Sequence, residues 1–296
     1  MNHRYEEDMV SETPSTTVQD RDERPAKLEV RNVVQRFDST VALSETSLNV
    51  RAGEFISIVG PSGCGKSTLF NIVSGILKPT EGQVLLDGRD VTAQPGHVGY
   101  MLQKDLLLSW KTALENITLG ATLTRRVTRA DKVNAAELAT KYGLGAFLNH
   151  YPHAMSGGMR QRVALMRTLT FARDVMLLDE PFGALDSQTR LEMQQWLLSV
   201  WAEQQSTILF VTHDVDEAIF LADRVVVMSA RPGRIRQIFD VDLPRPRGLD
   251  LLTSPEFTAL KRQTLEIIYE EGVHIYGSEG APAQVSANAP VTAGTL

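Results

Sequence analysis

From Leu28 onward, short apolar runs alternate with segments of helical period, and the pattern fades near residue 275. Phe55, Ile56, Ile58 and Val59 form one such run, ending at Gly60, and Leu69, Ile72, Val73 and Ile76 follow at helical spacing until Pro79. A short unbroken apolar run suits a strand covered on both faces, whereas i, i+3, i+4 spacing suits a helix with one buried stripe. The pattern predicts a strand, a glycine loop and a helix that begins near Lys66 and stops before Pro79. Residues 83–91, with their Asp87-Gly88 pair, predict a hairpin, and 97–102 a further strand. Residues 110–170 are mostly helical in pattern, most clearly at 128–142, with Ser156 opening a second helix. Residues 175–178, 207–211 and 224–228 read as buried strands, separated by helices at 187–204 and 214–222. Strands alternating with helices imply an α/β fold with a largely parallel sheet covered on both faces.

The flanks differ. Residues 1–27 are polar and acidic without hydrophobic period and predict a disordered tail; 277–296, GSEGAPAQVSANAPVTAGTL, predict a second, low-complexity one. Residues 247–276 read as a C-terminal helical extension, helix-like over 254–269.

With 296 residues, 43% hydrophobic and 22% charged, the chain has the composition of an ordinary globular protein, which excludes collagenous, disulfide-rich and wholly disordered classes. A lone cysteine, Cys64, forms no intramolecular disulfide, and the first residues hold no apolar stretch that would serve as a secretory signal, so a cytosolic setting is expected. No run approaches the ~18 apolar residues of a membrane-spanning helix, so a membrane role is expected only through a partner. The net charge of −6 argues weakly against a nucleic-acid coat. Much of that acidity sits in the tails, so the folded part is nearly neutral and an anionic ligand remains admissible.

The loop GPSGCGKS, residues 60–67, matches GxxxxGK[ST] in the strand-loop-helix context that the motif requires. Gly63 and Gly65 let backbone N–H groups turn toward phosphate oxygens, Lys66 supplies a mobile cation and Ser67 a magnesium ligand. Next comes VMLLDEP, residues 175–181, whose Asp179 and Glu180 end a strand at the sheet edge where α/β proteins bind ligands. Asp179 is placed to reach magnesium through water and Glu180 to polarise an attacking water. In MSGGMRQR, residues 155–162, small residues open a helix, an anion-binding arrangement.

The order of phosphate loop, Gln103, SGG, DE, Asp186 and His213 resembles that in the ATP-binding subunits of ABC transporters over nearly all of 28–245. The resemblance implies a P-loop NTPase cassette, 28–246, with a RecA-like core, a small antiparallel β subdomain and an inserted helical subdomain at about 104–170. It implies ATP and Mg2+ as cofactors, held by Gly60, Pro61, Ser62, Gly63, Cys64, Gly65, Lys66, Ser67 and Thr68. Phe37, 23 residues before the loop, would stack on adenine, the competing reading being a core phenylalanine. Gln103 would touch magnesium and the attacking water, and His213 the γ-phosphate. Ser156, Gly157, Gly158 and Asp186 would close over ATP held by a second copy, head to tail, with Asp186 free to cap a helix as well. Met155 and Met159 depart from the common LSGGQ signature; the closing role of the serine and glycines is expected to survive.

KDLLLSWKTALENITLG, 104–120, and SARPGRI, 229–235, followed by VDLPRPR, resemble importers of nitrate, sulfonates and taurine. The implied setting is peripheral, on the cytoplasmic face of the inner membrane, with permease subunits and indirectly a solute-binding protein as partners, and no nucleic acid. Leu106, Leu107, Leu108 and Trp110 either seat a permease helix or pack within the helical subdomain. The alternatives are a soluble ABC-type ATPase acting on DNA or ribosomes, which typically has a coiled-coil insertion or two cassettes per chain, and an importer of another solute such as a vitamin precursor.

Overall fold

Strand β3, Phe55–Val59, is buried at all five positions and lies between two parallel neighbours, β8 (Thr207–Val211) and β9 (Arg224–Met228). In the computed structural model, which describes residues 25–170 and 174–277, these strands belong to a six-stranded sheet. Its order is β10-β9-β3-β8-β7-β6, with β6 at Gly99–Met101, β7 at Val175–Asp179 and β10 at Ile235–Asp240. Only β10 runs antiparallel to its neighbour.

Alternate residues of each central strand point to opposite faces and feed two separate cores. Phe55, Met176, Leu178, Ile208, Phe210, Val225 and Val227 face one; Ile56, Ile58, Val175, Leu177, Leu209, Val211, Val226 and Met228 face the other. The second core is closed by helix α1 (Lys66–Val73) and a four-stranded antiparallel sheet, β2-β1-β4-β5. Those strands are β1 (Ala26–Phe37), β2 (Thr40–Arg51), β4 (Glu81–Leu86) and β5 (Arg89–Asp90), the last two joined through Asp87 and Gly88. Strand β1 begins two residues before the apolar pattern does, because Lys27 pairs with Asp87 (2.9 Å) and Asp174 (2.7 Å) and so ties the two sheets together.

Among the described residues between β6 and β7 are four α-helices: α2 (Ala113–Ile117), α3 (Leu119–Thr124), α4 (Arg129–Lys141) and α5 (Gly157–Thr170). Thr112 with Glu115, and Thr128 with Asp131, form reciprocal capping boxes that satisfy the free N–H groups of α2 and α4. Helices α6 (Ser187–Gln204) and α7 (Val215–Leu221) alternate with β7, β8 and β9. Helix α8 (Pro255–Gly277) lies against α7, with Phe257 buried and Lys261 bonded to Asp216 at 2.8 Å. Most of both predicted tails, residues 1–24 and 278–296, lies outside the described residues.

Candidate functional site

Four loops meet at one edge of the parallel sheet because they follow the carboxyl ends of four parallel strands: the phosphate loop after β3, Gln103 after β6, Asp179-Glu180 at the end of β7, and His213 after β8. Gly63 and Gly65 have φ of 76° and 97°, a region that costs an L side chain about 1–2 kcal/mol. Space is the second constraint at Gly65, where a Cβ would meet Leu43 Cδ2 at 2.6 Å. Gly65 is the N-cap of α1, so the positive end of that helix opens into the loop. The Lys66 ammonium donates to the carbonyls of Gly60 (2.8 Å) and Pro61 (3.1 Å), neutral acceptors that a phosphate oxygen surpasses as a charge-assisted partner.

Across the edge, Glu180 has φ 47°, an unusual value for a glutamate, and its N–H donates to Val211 O at 2.9 Å, which fixes it to β8. Gln103 Nε2 donates to Glu180 Oε2 at 3.0 Å, and His213 Nδ1 stands 3.5 Å from that same oxygen. The Asp179 carboxyl is buried and hydrogen-bonded to Ser67; burial raises its pKa, with Glu180 adding to the rise while Ser67 and Lys66 oppose it. A buried carboxylate beside a serine hydroxyl, a glutamine and a second carboxylate is an all-oxygen set that suits magnesium. Among the described residues no group of three or more His, Cys, Asp or Glu could hold a metal alone.

Ser156, Gly157, Gly158 and Asp186 form a second group. Ser156 Oγ accepts from Met159 N at 3.2 Å, which caps α5 through a backbone N–H and so does not depend on the side chain at 159. A Cβ on Gly158 would lie 3.1 Å from Leu185 Cδ2, which places the signature against the loop carrying Asp186. Asp186 caps α6 by accepting from Thr189 N at 3.0 Å, and that bond holds its carboxyl below the usual range. Among the described residues no hydrogen bond or ion pair joins Ser156–Gly158 to the phosphate loop. Phe37, at the end of β1, is 47% exposed, so it is an open ring and not a core residue.

Several positioning residues are not singled out in the sequence. Arg160 donates to Asp105 Oδ2 (3.0 Å) and to Met155 O (2.8 Å), while Arg167, two turns further along α5, holds the carbonyls of Asp105 (2.7 Å) and Leu106 (2.9 Å). The segment after Gln103 is thereby strapped to the signature helix. Asn116 is buried and bonds Leu108, Lys111 and Thr112, which shapes a turn whose Trp110 is 71% exposed. Leu106, at φ 43°, is also exposed, whereas Leu107 packs against the core. The apolar run is therefore split between exposed and packed side chains. Beneath His213, Thr212 Oγ1 donates to Glu217 (2.6 Å), which also accepts from Gln194 (3.2 Å). The i+5 spacing of Thr212 and Glu217 across a strand-to-helix turn is too loose a signal to recognise in a sequence.

Comparison with known proteins identifies the family. The model of the ABC transporter family matches residues 43–183. A putative ATP-binding protein of Brucella abortus is 42% identical over 249 residues, covering 83% of this chain and 94% of that protein. The taurine import ATP-binding protein TauB of Rhizobium johnstonii is 40% identical, with coverage of 79% and 92%. The nitrate import ATP-binding protein NrtC of Synechococcus elongatus is 41% identical over 82% of this chain, though over only 38% of its own length. Among solved structures, the dimeric ABC transporter cassette MJ0796 superposes with a TM-score of 0.66 at 32% identity, covering 73% of this chain and 99% of its own, and it is also known in a post-hydrolysis state with ADP and Pi. With relatives this similar over most of their length, on a P-loop NTPase fold, the chain belongs to the ABC transporter family as its ATP-binding, ATP-hydrolysing cassette.

Proposed function

We propose that this cassette energises a membrane importer of a small solute of the nitrate, sulfonate or taurine kind, working as a head-to-tail pair that closes on ATP and reopens after hydrolysis. The observation that carries the reading is the meeting of Gln103 and His213 on one Glu180 oxygen, at the sheet edge that also bears Lys66 and Ser67. The amides of residues 60–68 and the Lys66 ammonium bind the phosphates, and Phe37 stacks on the adenine. Ser67, Gln103 and Asp179 would hold a magnesium ion, which would supply positive charge to offset that of the phosphates. Glu180 takes a proton from the water that attacks the γ-phosphorus. The bond from that phosphorus to the bridging oxygen breaks, and ADP leaves with the electron pair. Gln103 orients the water and His213 donates to a γ-oxygen.

Each phosphate loop needs a cover, and among the described residues the signature of the same chain makes no hydrogen bond or ion pair to it. Ser156, Gly157, Gly158 and Asp186 of a second copy supply one, an arrangement supported by the dimeric state of the MJ0796 cassette. Shifting such a pair from mostly open to mostly closed takes about 5.5 kcal/mol of differential affinity, a modest demand on two nucleotides. Exposed Leu106 and Trp110, beside Gln103, offer the seat for a permease helix. No described helix is long and apolar enough to cross a membrane, so contact with one falls to the permease. The test is to add a purified permease of the nitrate or taurine class in detergent to the cassette. ATP turnover that rises on addition supports the reading, and a permease that neither binds nor changes turnover contradicts it.

A further inference from the structure

We propose that helix α8 sets the shape of the phosphate loop, with Glu271 as a positioning residue for nucleotide binding; this rests on nucleotide occupying residues 60–68, as read above. The Glu271 side chain is largely buried, and one oxygen accepts from the N–H of Ala230 at 3.1 Å while the other pairs with Arg236 Nε at 3.2 Å. Ala230 opens a tight loop that Ser229 closes: Ser229 N–H donates to Arg234 O (2.9 Å) and Ser229 Oγ accepts from Arg234 N (3.1 Å). At the loop's tip Gly233 is knitted to β2, donating to Ala42 O and accepting from Ser44 N, both at 2.9 Å. The tip also presses on the phosphate loop. A Cβ on Gly233 would overlap the carbonyl oxygen of Cys64, and Arg231 Nη2 lies 3.7 Å from where Gly63 would carry a Cβ.

The Cys64–Gly65 peptide is planar and trans, so its C=O and N–H point in opposite directions. Seating the Cys64 carbonyl on Gly233 therefore turns the Gly65 N–H away from that contact, toward the face where phosphate oxygens are received. Glu271 is 41 positions from Ala230 in the chain and fixes the far side of the same tight loop. Loss of its acceptor leaves the Ala230 N–H without its partner and frees the loop to shift, and with it the peptide plane that aims Gly65.

The experiment is titration of the full chain with Mg·ADP, which binds without turnover, followed by calorimetry. Glu271→Ala is expected to raise the Kd about fivefold, the lower end of ordinary site-to-site coupling. Glu271→Gln keeps an acceptor for the Ala230 N–H and is expected within about twofold of the parent, a rescue that a general packing role would not give. A folded Glu271→Ala chain with the parental Kd overturns the proposal while leaving the nucleotide site intact. A parent chain that does not bind Mg·ADP overturns the site reading instead, and this inference with it. Should Glu271→Ala fail to fold, hydrogen exchange on the parent decides: because coupling is reciprocal, saturating Mg·ADP must slow exchange at Ala230, and an unchanged rate there overturns the proposal.

Discussion

Glu180 Oε2 accepts from Gln103 and faces His213, so in the proposed reaction the proton passes to a carboxylate that both neighbours hold in place. Glu180→Gln keeps the volume and a carbonyl oxygen for Gln103 but cannot take a proton. Steady-state phosphate release should fall by about 10²- to 10⁴-fold while ATP still binds; turnover within about twofold of the parent would remove Glu180 from the role of base. Asp186→Ala should separate the two duties of that residue. Losing the α6 cap costs ~1 kcal/mol, visible as a lower Tm of the monomer, and ATP-dependent pairing should weaken beyond what that loss explains. The residues legible at this scale were those whose chemistry is encoded next to a strand end. Lys66, Ser67, Asp179 and Glu180 each follow an apolar run, and the run itself foretells the sheet edge. Gln103 was legible only through resemblance, since a lone glutamine after a three-residue strand carries no local signal.

Among elements, the strap between α5 and the segment after Gln103 makes the signature and the proposed permease seat one mechanical unit. Asp105→Ala removes the partner of Arg160. Because the pair is partly exposed, its effect on stability should be small, so Tm should change little while stimulation of ATP turnover by a bound permease weakens. Stimulation equal to the parent's would leave the strap without a function. Trp110→Glu should abolish permease association and keep the basal ATPase. The network under His213 adds a pH signature. Burial raises the Glu217 carboxyl above its ordinary value of 4.5, with only partial opposition from Thr212, Arg190 and Gln194. The folded state therefore holds this proton more tightly than the unfolded chain does. The stabilising contribution is complete below the ordinary carboxylate range and is lost as pH rises through the folded value. The Tm deficit of Glu217→Gln relative to the parent should narrow as pH rises above the ordinary value of 4.5; a deficit that widens would contradict the assignment. The antiparallel strands β1 and β2 escaped the apolar pattern for a physical reason. Their pairing shifts register between Val30 and Val33 and again near Gln35, and Asn32 sits at φ 48°, so the two-residue alternation is broken. Strand β10 is a largely exposed edge, and its lack of a buried face left nothing to read.

For the molecule as a whole, one sheet separates two cores, and the side-chain alternation of its four central strands decides which residues enter each. That division was implicit in the apolar runs, because a strand buried on both faces must have something packed on both. What no single-chain pattern can express is the proposed completion of the site by a second copy: among the described residues no hydrogen bond or ion pair joins the phosphate loop to the signature. The central claim is that ATP brings two such chains together. Light-scattering mass of Glu180→Gln in Mg·ATP measures this most directly: the account predicts a shift from 32.7 kDa to twice that mass, absent in Mg·ADP. A chain that binds ATP and remains at 32.7 kDa throughout would contradict it.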